Sequence, residues 1–533
     1  MSDTRGQGPG HAGPPRRSVL LGGLGALGAA FLATGCSQQG GAATAISSTA
    51  ATGTPAPGGL LRIARPPASQ AETLDPASSL SAYEYLGALY SRLVRVGPDG
   101  EVAPDLATEW DSSPDGTTWT FRLREDVTFH DGRPFSSADA AYTVRRLVDP
   151  EVASPQAGVL GPLLDPGSVE APDERTLVIE LSSPNFEFPS LLTGYNCYVI
   201  PEGSGGSIGR GGVGTGPFRL ESFAPAGRGR LTAFPEHWEG RPVLDAIEFY
   251  SVADVQARTN ALLAGQVDLL SQTNLDFATA RVISASSRAT IARSTNAQWY
   301  VLPMLCTQEP FTDPRVRQAM KLAYDPTAVL KTALQGTGVE GHDNPVPPND
   351  PSWTDYSVDR DPERARALLK EAGREDLRID LHTSSYDPVF TPMALAYKES
   401  AAEAGITVDV RTASADSYYT RIWMKKPLCA TYWYTGRPVD QMLNQIFRSG
   451  SSYNETAWSD EGFDALLDDA RRTRDTGRRR TLYQDAQRHI VDNGGAMTPM
   501  FADRLVGISR DVLNYRETGF EFDYLNIGLR AQS

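Results

Sequence analysis

One serine stands in a spacing that is typical of hydrolases. Gly205, Ser207 and Gly209 satisfy G-x-S-x-G, a pattern that places a nucleophilic serine on a sharp turn between a strand and a helix. Here the surrounding residues form a glycine-rich loop, with no strand pattern before it and no helix pattern after it. The turn that exposes such a serine is therefore missing, and we do not expect Ser207 to be catalytic.

Motifs for cofactors and metals are equally weak. Gly209, Gly211 and Gly214 satisfy G-x-G-x-x-G, but the next residues, TGPFRLESF, alternate like a strand. No helix N-terminus would then be available to hold a pyrophosphate. The six histidines are scattered, and no pair has the spacing of zinc ligands. The sequence thus predicts no catalytic residue, no cofactor and no metal site. Ligation of a metal by one histidine together with a chelating ligand is the alternative that stays open.

A stronger chemical signal lies at the N-terminus, where an apolar segment ends in a cysteine. Arg16 and Arg17 precede an uncharged run at 19–35, and the following Cys36 completes Ala-Thr-Gly-Cys, which resembles a bacterial lipobox. A basic start and a short apolar core indicate a secretory signal, and Arg-Arg-Ser resembles a twin-arginine signal. We expect residues 1–35 to be removed and Cys36 to carry lipid, which would anchor the chain to the outer face of the cytoplasmic membrane. An uncleaved N-terminal anchor is the alternative.

Composition limits the remaining possibilities. The 533-residue chain has a formal net charge of −15, which argues against nucleic acid as a partner because phosphate backbones require clustered Lys and Arg. Its length exceeds what one core usually spans, so we expect at least two lobes. Residues 36–57 have few large apolar side chains and are predicted to form a flexible linker.

Three further cysteines remain once Cys36 is acylated: Cys197, Cys306 and Cys429. An odd number cannot all pair within one chain. One disulfide is compatible with an oxidising location, but nothing in the spacing selects a pair. Buried free thiols are the simpler interpretation.

From Leu60 onward, strand-like segments alternate with amphipathic helices, which predicts mixed α/β layers. Two helices are well marked. In the segment 313–325, Asp313 is an N-cap and Pro314 suits the first helical position. The segment 361–373 repeats this order, with Asp361 as the cap and Gly373 as the terminator. Both helices are expected to bury one apolar face.

Five long segments together resemble the family 5 extracellular solute-binding proteins, the dipeptide-, oligopeptide-, nickel- and opine-type receptors of bacterial ABC importers. The segments are APDLATEWDSSPDGTTWTFRLREDVTFHDGRPF at 103–135, GTGPF at 214–218, HWEGRPVLDAIEF at 237–249, LLAGQVDLL at 262–270 and FTDPRVRQAMKLAYD at 311–325. Within the first segment, Asp115-Gly116 reads as a turn between strands, Trp119, Phe121 and Leu123 as one buried face, and His130 as a turn or packing residue.

The resemblance implies an α/β, two-lobed, periplasmic-binding-protein-like (type II) fold with an inserted subdomain in the first lobe. It places lobe 1 at 58–83, 202–299 and 500–533, the inserted subdomain at 84–201 and lobe 2 at 300–499. The hinge would then lie near residues 299 and 500. In such a fold the solute binds between the lobes.

The resemblance also indicates site residues, with one departure from the family pattern. Peptide receptors of the family carry an acidic residue, after a Trp and a Gly, that pairs with the α-ammonium group of the peptide. Here Arg437 stands at that position, after Trp433 and Gly436. A guanidinium suits a carboxylate or phosphate and repels ammonium. Two interpretations are open: Arg437 contacts an anionic group of the solute, with Asp440 as a compensating acid, or Arg437 pairs with Asp440 or another local acid.

Aromatic side chains nearby fit the wall of a solute cleft. Trp433 and Tyr434 are the predicted binding residues on this strand. The family register favours Trp433 in the cleft, while Tyr434 shares the other face of the strand with Tyr432, so not all of these rings can line the site. Tyr418, Tyr419 and Trp423 are further wall candidates. Weaker candidates for the opposite wall are Tyr83, Tyr85, Tyr195 and Asn196.

The resemblance therefore predicts a lipid-anchored, monomeric receptor that captures a peptide-like or other small organic solute and delivers it to an ABC permease. The sequence has no P-loop, which is consistent with a separate ATPase. Two other classes of function remain as alternatives. One is an extracytoplasmic hydrolase on a binding-protein scaffold, and the other is a binding or signalling receptor without a role in transport.

Overall fold

The computed structural model describes residues 50–97, 100–273, 275–357, 359–518 and 521–531, all within the compact body Ile46–Ser533. Cys36 and the predicted export signal lie outside the described residues. Among the residues that are described, no helix combines the length and apolarity needed to cross a bilayer.

Short alternating segments form strands throughout the chain, as the sequence predicts. In chain order they are β1 Leu60–Arg65, β2 Val94–Val96, β3 Val102–Pro104, β4 Ala107–Ser112, β5 Thr118–Leu123, β6 Leu164–Asp173, β7 Thr176–Leu181, β8 Phe218–Ser222, β9 Arg228–Ala233, β10 Ala246–Ser251, β11 Leu269–Leu270, β12 Ala289–Pro303, β13 Val339–Glu340, β14 Arg378–Ser384, β15 Thr407–Ala413, β16 Thr431–Tyr434, β17 Ala496–Ser509, β18 Val512–Leu513, β19 Glu517–Thr518, β20 Glu521–Phe522 and β21 Gly528–Leu529.

Helices alternate with these strands. They are α1 Tyr83–Leu89, α2 Ser137–Leu147, α3 Ala157–Leu160, α4 Phe188–Leu191, α5 Ile208–Gly211, α6 Val255–Leu263, α7 Phe277–Ser284, α8 Pro314–Ala323, α9 Pro326–Leu334, α10 Pro362–Glu371, α11 Phe390–Ala402, α12 Tyr418–Arg421, α13 Val439–Ile446, α14 Glu461–Arg472 and α15 Thr476–Asn493.

Both helices that the sequence marks clearly are confirmed. The carboxylate of Asp313 accepts a hydrogen bond from the Arg315 amide at the start of α8, and Asp361 accepts one from the Arg364 amide at the start of α10. Gly373 ends the second helix in the left-handed region, at φ +67°, where a residue without Cβ is favoured.

The central sheet has the strand order β16-β12-β17-β11-β1-β10-β9-β8, and β13 pairs with β17. Strands β12 and β17 pair in antiparallel fashion from Ala289 opposite Ser509 to Pro303 opposite Ala496. The predicted crossings near 299 and 500 thus fall inside two long strands of one sheet. The lobe boundaries themselves stay predictions. At one end of this sheet, β16 pairs with β12, with Trp433 opposite Trp299.

A separate four-stranded sheet, β4-β5-β7-β6, lies within the segment predicted as an inserted subdomain. Gly116, at φ +72°, forms the predicted turn between β4 and β5. Trp119, Phe121 and Leu123 are all buried, which confirms the alternation. They belong to an apolar cluster drawn from residues 77–199, with its own core.

The end of the predicted linker makes backbone hydrogen bonds to the C-terminal segment. The backbone of Ala51 accepts a hydrogen bond from Asn514 at 2.8 Å, and Ala56 donates one to Leu529 at 2.8 Å. This end of the predicted linker 36–57 therefore packs on the C-terminal segment. It can do so without large side chains because the contacts are backbone hydrogen bonds.

Cys197, Cys306 and Cys429 are free thiols. Cys197 and Cys429 are buried, which confirms the interpretation as buried free thiols for these two, whereas Cys306 is half-buried.

Candidate functional site

A tight turn after the edge strand β16 presents the predicted site arginine. Gly436 takes a left-handed conformation, at φ +82°, and Pro438 leads into α13. Thr435 fixes the turn to β12, since its amide donates to Ala297 O at 2.9 Å and its hydroxyl donates to Asn296 O at 2.7 Å. Arg437 is therefore held between the end of a strand and the start of a helix.

The guanidinium of Arg437 makes no ion pair with an acid among the described residues. Its Nη1 donates to the carbonyl of Tyr434 at 2.7 Å, and its Cζ lies 5.8 Å from the centre of the Trp433 ring. Burial lowers the pKa of Arg437, but the side chain is only half-buried by surface area. The interpretation that Arg437 pairs with Asp440 or another local acid is wrong.

Asp440 is bound by a different arginine. Its carboxylate is fully buried and accepts hydrogen bonds from Arg471 Nε and Nη2, both at 2.9 Å. Tyr483 donates to the same carboxylate at 3.0 Å, and so does Asn444 Nδ2 at 3.0 Å. Its lone pairs are thus satisfied inside the protein, where Asp440 pairs with Arg471 and not with Arg437. A role for Asp440 in binding solute stays a prediction.

Two tyrosines from distant parts of the chain face this turn. Tyr83 begins α1 and Tyr195 lies near the end of the predicted insertion. Their rings meet edge-to-face with 4.8 Å between centroids. Both interact electrostatically with the Arg437 guanidinium, as do Tyr434 and Tyr453. The structure thus brings together five predicted residues, which are Tyr83, Tyr195, Trp433, Tyr434 and Arg437.

Tyr85 and Asn196 do not join this group. Tyr85 packs in the core against Phe249, with 4.1 Å between ring centroids. Residues two apart on a helix point about 200° apart, so Tyr83 and Tyr85 cannot share a face. Asn196 is buried, and its Nδ2 donates to Pro76 O at 2.6 Å and to Ser79 O at 3.2 Å. The structure therefore places both side chains in the interior and outside the group around Arg437, and their role in binding stays a prediction.

The aromatic residues of β16 divide between its two faces as predicted. The hydroxyls of Tyr432 and Tyr434 lie 3.4 Å apart on one face, and the Trp433 ring stacks on Trp299 on the other, at 6.3 Å. Tyr386, near Tyr432 and Tyr434, is 48% exposed. Tyr418 was a further candidate, but it is fully buried and its hydroxyl donates to Ala430 O at 2.6 Å, so it belongs to the core.

Sequence reasoning missed a buried carboxylate behind the tryptophans. Glu455 is 4% exposed and accepts hydrogen bonds from Trp423 Nε1 at 2.6 Å and Trp433 Nε1 at 2.9 Å. Burial raises the pKa of Glu455 to about 7, although the hydrogen bonds oppose this shift. The indoles lie 32 and 22 positions away in sequence, so no local spacing indicates the contact. Its neighbour Tyr453, 37% exposed, was missed too.

The short helix α5 follows Ser207 directly, so the expectation that no helix comes after this serine is wrong. The segment before it is a 3-10 turn at Ser204–Gly206 and not a strand. Ser207 is exposed, and its Oγ donates to Ser204 O at 3.1 Å; no acid or histidine hydrogen-bonds it among the described residues. His130 accepts from the Gly214 amide at 3.2 Å, which leaves its Nε2 to donate to Gly216 O at 3.0 Å. Burial lowers the pKa of His130 to about 4. Its predicted packing role is confirmed.

The glycines of the GTGPF segment allow a close approach to the helix that carries Tyr83. A Cβ on Gly214 would lie 2.0 Å from the carbonyl oxygen of Leu89. The amide of Gly216 donates to that carbonyl at 2.9 Å. Only glycine fits here, so this segment positions the C-terminal end of α1.

Across the described ranges, no three His, Cys, Asp or Glu side chains converge as a metal site would require.

Comparisons with known proteins agree on one family. A model described as bacterial extracellular solute-binding proteins, family 5 Middle, matches residues 101–455. The chain is 28% identical over 464 residues to di/tripeptide-binding protein 2 of Pseudomonas aeruginosa, covering 78% of this chain and 85% of that protein. It is 28% identical over 444 residues to the glutathione-binding protein GsiB of Pectobacterium atrosepticum, covering 78% and 84% respectively.

Solved structures show the same fold. The periplasmic binding protein DppA from Helicobacter pylori, associated with an ABC transporter and in complex with the peptide STSA, superimposes with a TM-score of 0.76 at 22% identity. The match covers 89% of this chain and 99% of that one. The predicted two-lobed α/β fold of periplasmic binding proteins is confirmed.

Proposed function

The chain belongs to the bacterial extracellular solute-binding proteins of family 5, and on that premise we propose that it captures a peptide-like or other small organic solute outside the cytoplasmic membrane for an ABC importer. The chain would act as a monomer and pass its solute to a permease that is driven by separate ATPase subunits. We propose no enzymatic activity, since its relatives are named as binding proteins.

One observation carries the location of the site. Side chains from α1, from the end of the predicted insertion and from the turn after β16 converge on one guanidinium. Tyr83 and Arg437, the first and last of these residues in the chain, are more than 350 positions apart. Convergence of aromatic and charged groups from separate parts of a fold is typical of solute clefts. We propose that Tyr83, Tyr195, Trp433, Tyr434 and Arg437 line the solute cleft.

We further propose that lipid on Cys36 holds the receptor at the membrane. The support is the basic start, the apolar run and the lipobox-like sequence that ends in this cysteine. Replacing Cys36 with Ser should release the protein from the membrane fraction, as measured by immunoblotting of fractionated cells. If the Cys36→Ser protein stays in the membrane fraction, the uncleaved-anchor alternative is favoured.

Uptake by cells tests the transport role. Deletion of the gene should abolish import of a solute that the purified protein binds, and the wild-type gene should restore import. Binding without any defect in uptake would favour a signalling receptor. Turnover of the bound solute by the purified protein, lost in Ser207→Ala, would favour a hydrolase.

A further inference from the structure

Five described carboxylates near the proposed cleft residues are held by groups of the protein. Each is buried or nearly so and accepts hydrogen bonds from side chains or amides. The acids are Glu72, bound by Ser79 and Ser81; Glu84, bound by Ser271 and Gln272; Asp440, bound by Arg471; Glu455, bound by two indoles; and Glu517, paired with Arg504. None of them offers a free face to a solute's ammonium group.

Arg437 differs from these acids in having no partner of opposite charge among the described residues. Its Nη1 donates to a neutral carbonyl, that of Tyr434. Arg504, the neighbouring arginine near the Tyr434 ring, pairs with Glu517 at 2.9 Å. Within the described part of this region, Arg437 is therefore a cation that no carboxylate neutralises.

Tyrosine hydroxyls and aromatic faces surround this charge. Tyr83, Tyr195, Tyr434 and Tyr453 lie close enough to the guanidinium to interact with it electrostatically. Tyr453 also packs against Trp433, with 6.2 Å between ring centroids. This arrangement combines the N–H donors of Arg437, which suit an oxyanion, with aromatic surface for the rest of the molecule.

We infer that the solute is an organic oxyanion, a carboxylate or phosphate bound by Arg437, which carries an aromatic or apolar body and no free α-ammonium group. This inference rests on the proposed function as a solute receptor. A free ammonium in this cleft would lose its hydration without gaining a carboxylate, and it would also face a like charge. N-blocked peptides and acidic non-peptide compounds meet these requirements, whereas ordinary peptides do not.

The test uses the full chain in its wild-type and Arg437→Gln forms, purified in detergent. Each protein is incubated with a small-molecule extract of a culture of the host bacterium, washed, and denatured to release bound compounds for mass spectrometry. An amine-reactive reagent then reports whether each compound has a free amine. We expect the wild-type protein to retain a compound with an acidic group and no reactive amine. Arg478→Gln, on the exposed face of α15, serves as the matched control and should retain the same compound.

Affinity for the retained compound is then measured by tryptophan fluorescence. Arg437→Gln should weaken binding at least about thirtyfold, and Arg437→Lys should recover part of the loss because a point charge cannot make two parallel hydrogen bonds. The melting temperature without solute should be the same in both variants as in the wild-type protein. That result would show that both variants fold. Retention of compounds with a free α-amine, or equal affinity in Arg437→Gln, overturns the inference and leaves the receptor role standing. If the wild-type protein retains nothing, the receptor proposal fails and the inference fails with it.

Discussion

Removing the charge of Asp440 tests whether this acid serves the protein interior or the solute cleft. In Asp440→Asn the side chain keeps its volume, but Arg471, whose side chain is 12% exposed, loses its counter-ion. Breaking a buried ion pair on one side typically costs about 3–5 kcal/mol. The compact body Ile46–Ser533 has an unfolding entropy of about 1 kcal/mol/K, at about 2.1 cal/mol/K per residue, so it loses about 1 °C of melting temperature per kcal/mol. We therefore expect a decrease of roughly 3–5 °C in calorimetry without solute.

A double-mutant cycle identifies the partner of Asp440. Arg471→Gln combined with Asp440→Asn should destabilise the protein by less than the sum of the single changes, with a coupling of about 0.5–3 kcal/mol. Arg437→Gln should barely change melting alone, and its effect should add to that of Asp440→Asn within about 0.5 kcal/mol. If Arg437→Gln instead couples to Asp440→Asn, or if Asp440→Asn melts like the wild type, the assignment of Arg471 as the partner is refuted.

Two further changes probe two carboxylates, those of Glu455 and Glu187. Burial raises the folded-state pKa of Glu455 from 4.5 to about 7, so folding favours its protonated form, and its contribution to stability should fall as pH rises from about 4.5 to 7 and stay constant above that. Glu455→Gln should remove this slope from the free energy of unfolding measured in urea at several pH values, and equal slopes in both proteins would contradict the assignment. Glu187 pairs with Arg479 on α15, and next to it the Phe186 amide donates to Arg471 O at 2.8 Å. Glu187→Gln should weaken this contact and speed hydrogen exchange at Phe186 at least about tenfold, whereas unchanged exchange would mean that the ion pair does not hold the segment.

Much of the fold follows from local sequence. The caps at Asp313 and Asp361, the turn at Gly116 and the alternation through Trp119, Phe121 and Leu123 all depend on neighbours within a few positions. Such short-range preferences act in the same way wherever the segment lies. The family resemblance adds the two-lobed arrangement, which was also confirmed.

The sequence by itself also identified Arg437 as unusual, but only the tertiary structure decided the roles of its neighbours. Asp440 lies three positions away yet pairs with Arg471, thirty-one positions further along the chain. Tyr83 and Tyr85 are of one type and nearly adjacent, but helix geometry directs Tyr83 toward Tyr195 and Tyr85 into the core against Phe249. Glu455 meets two indoles through contacts that no local pattern encodes. The reason is physical: which polar partner a buried charge finds depends on the side chains that packing brings within about 3 Å, and sequence spacing does not determine that distance.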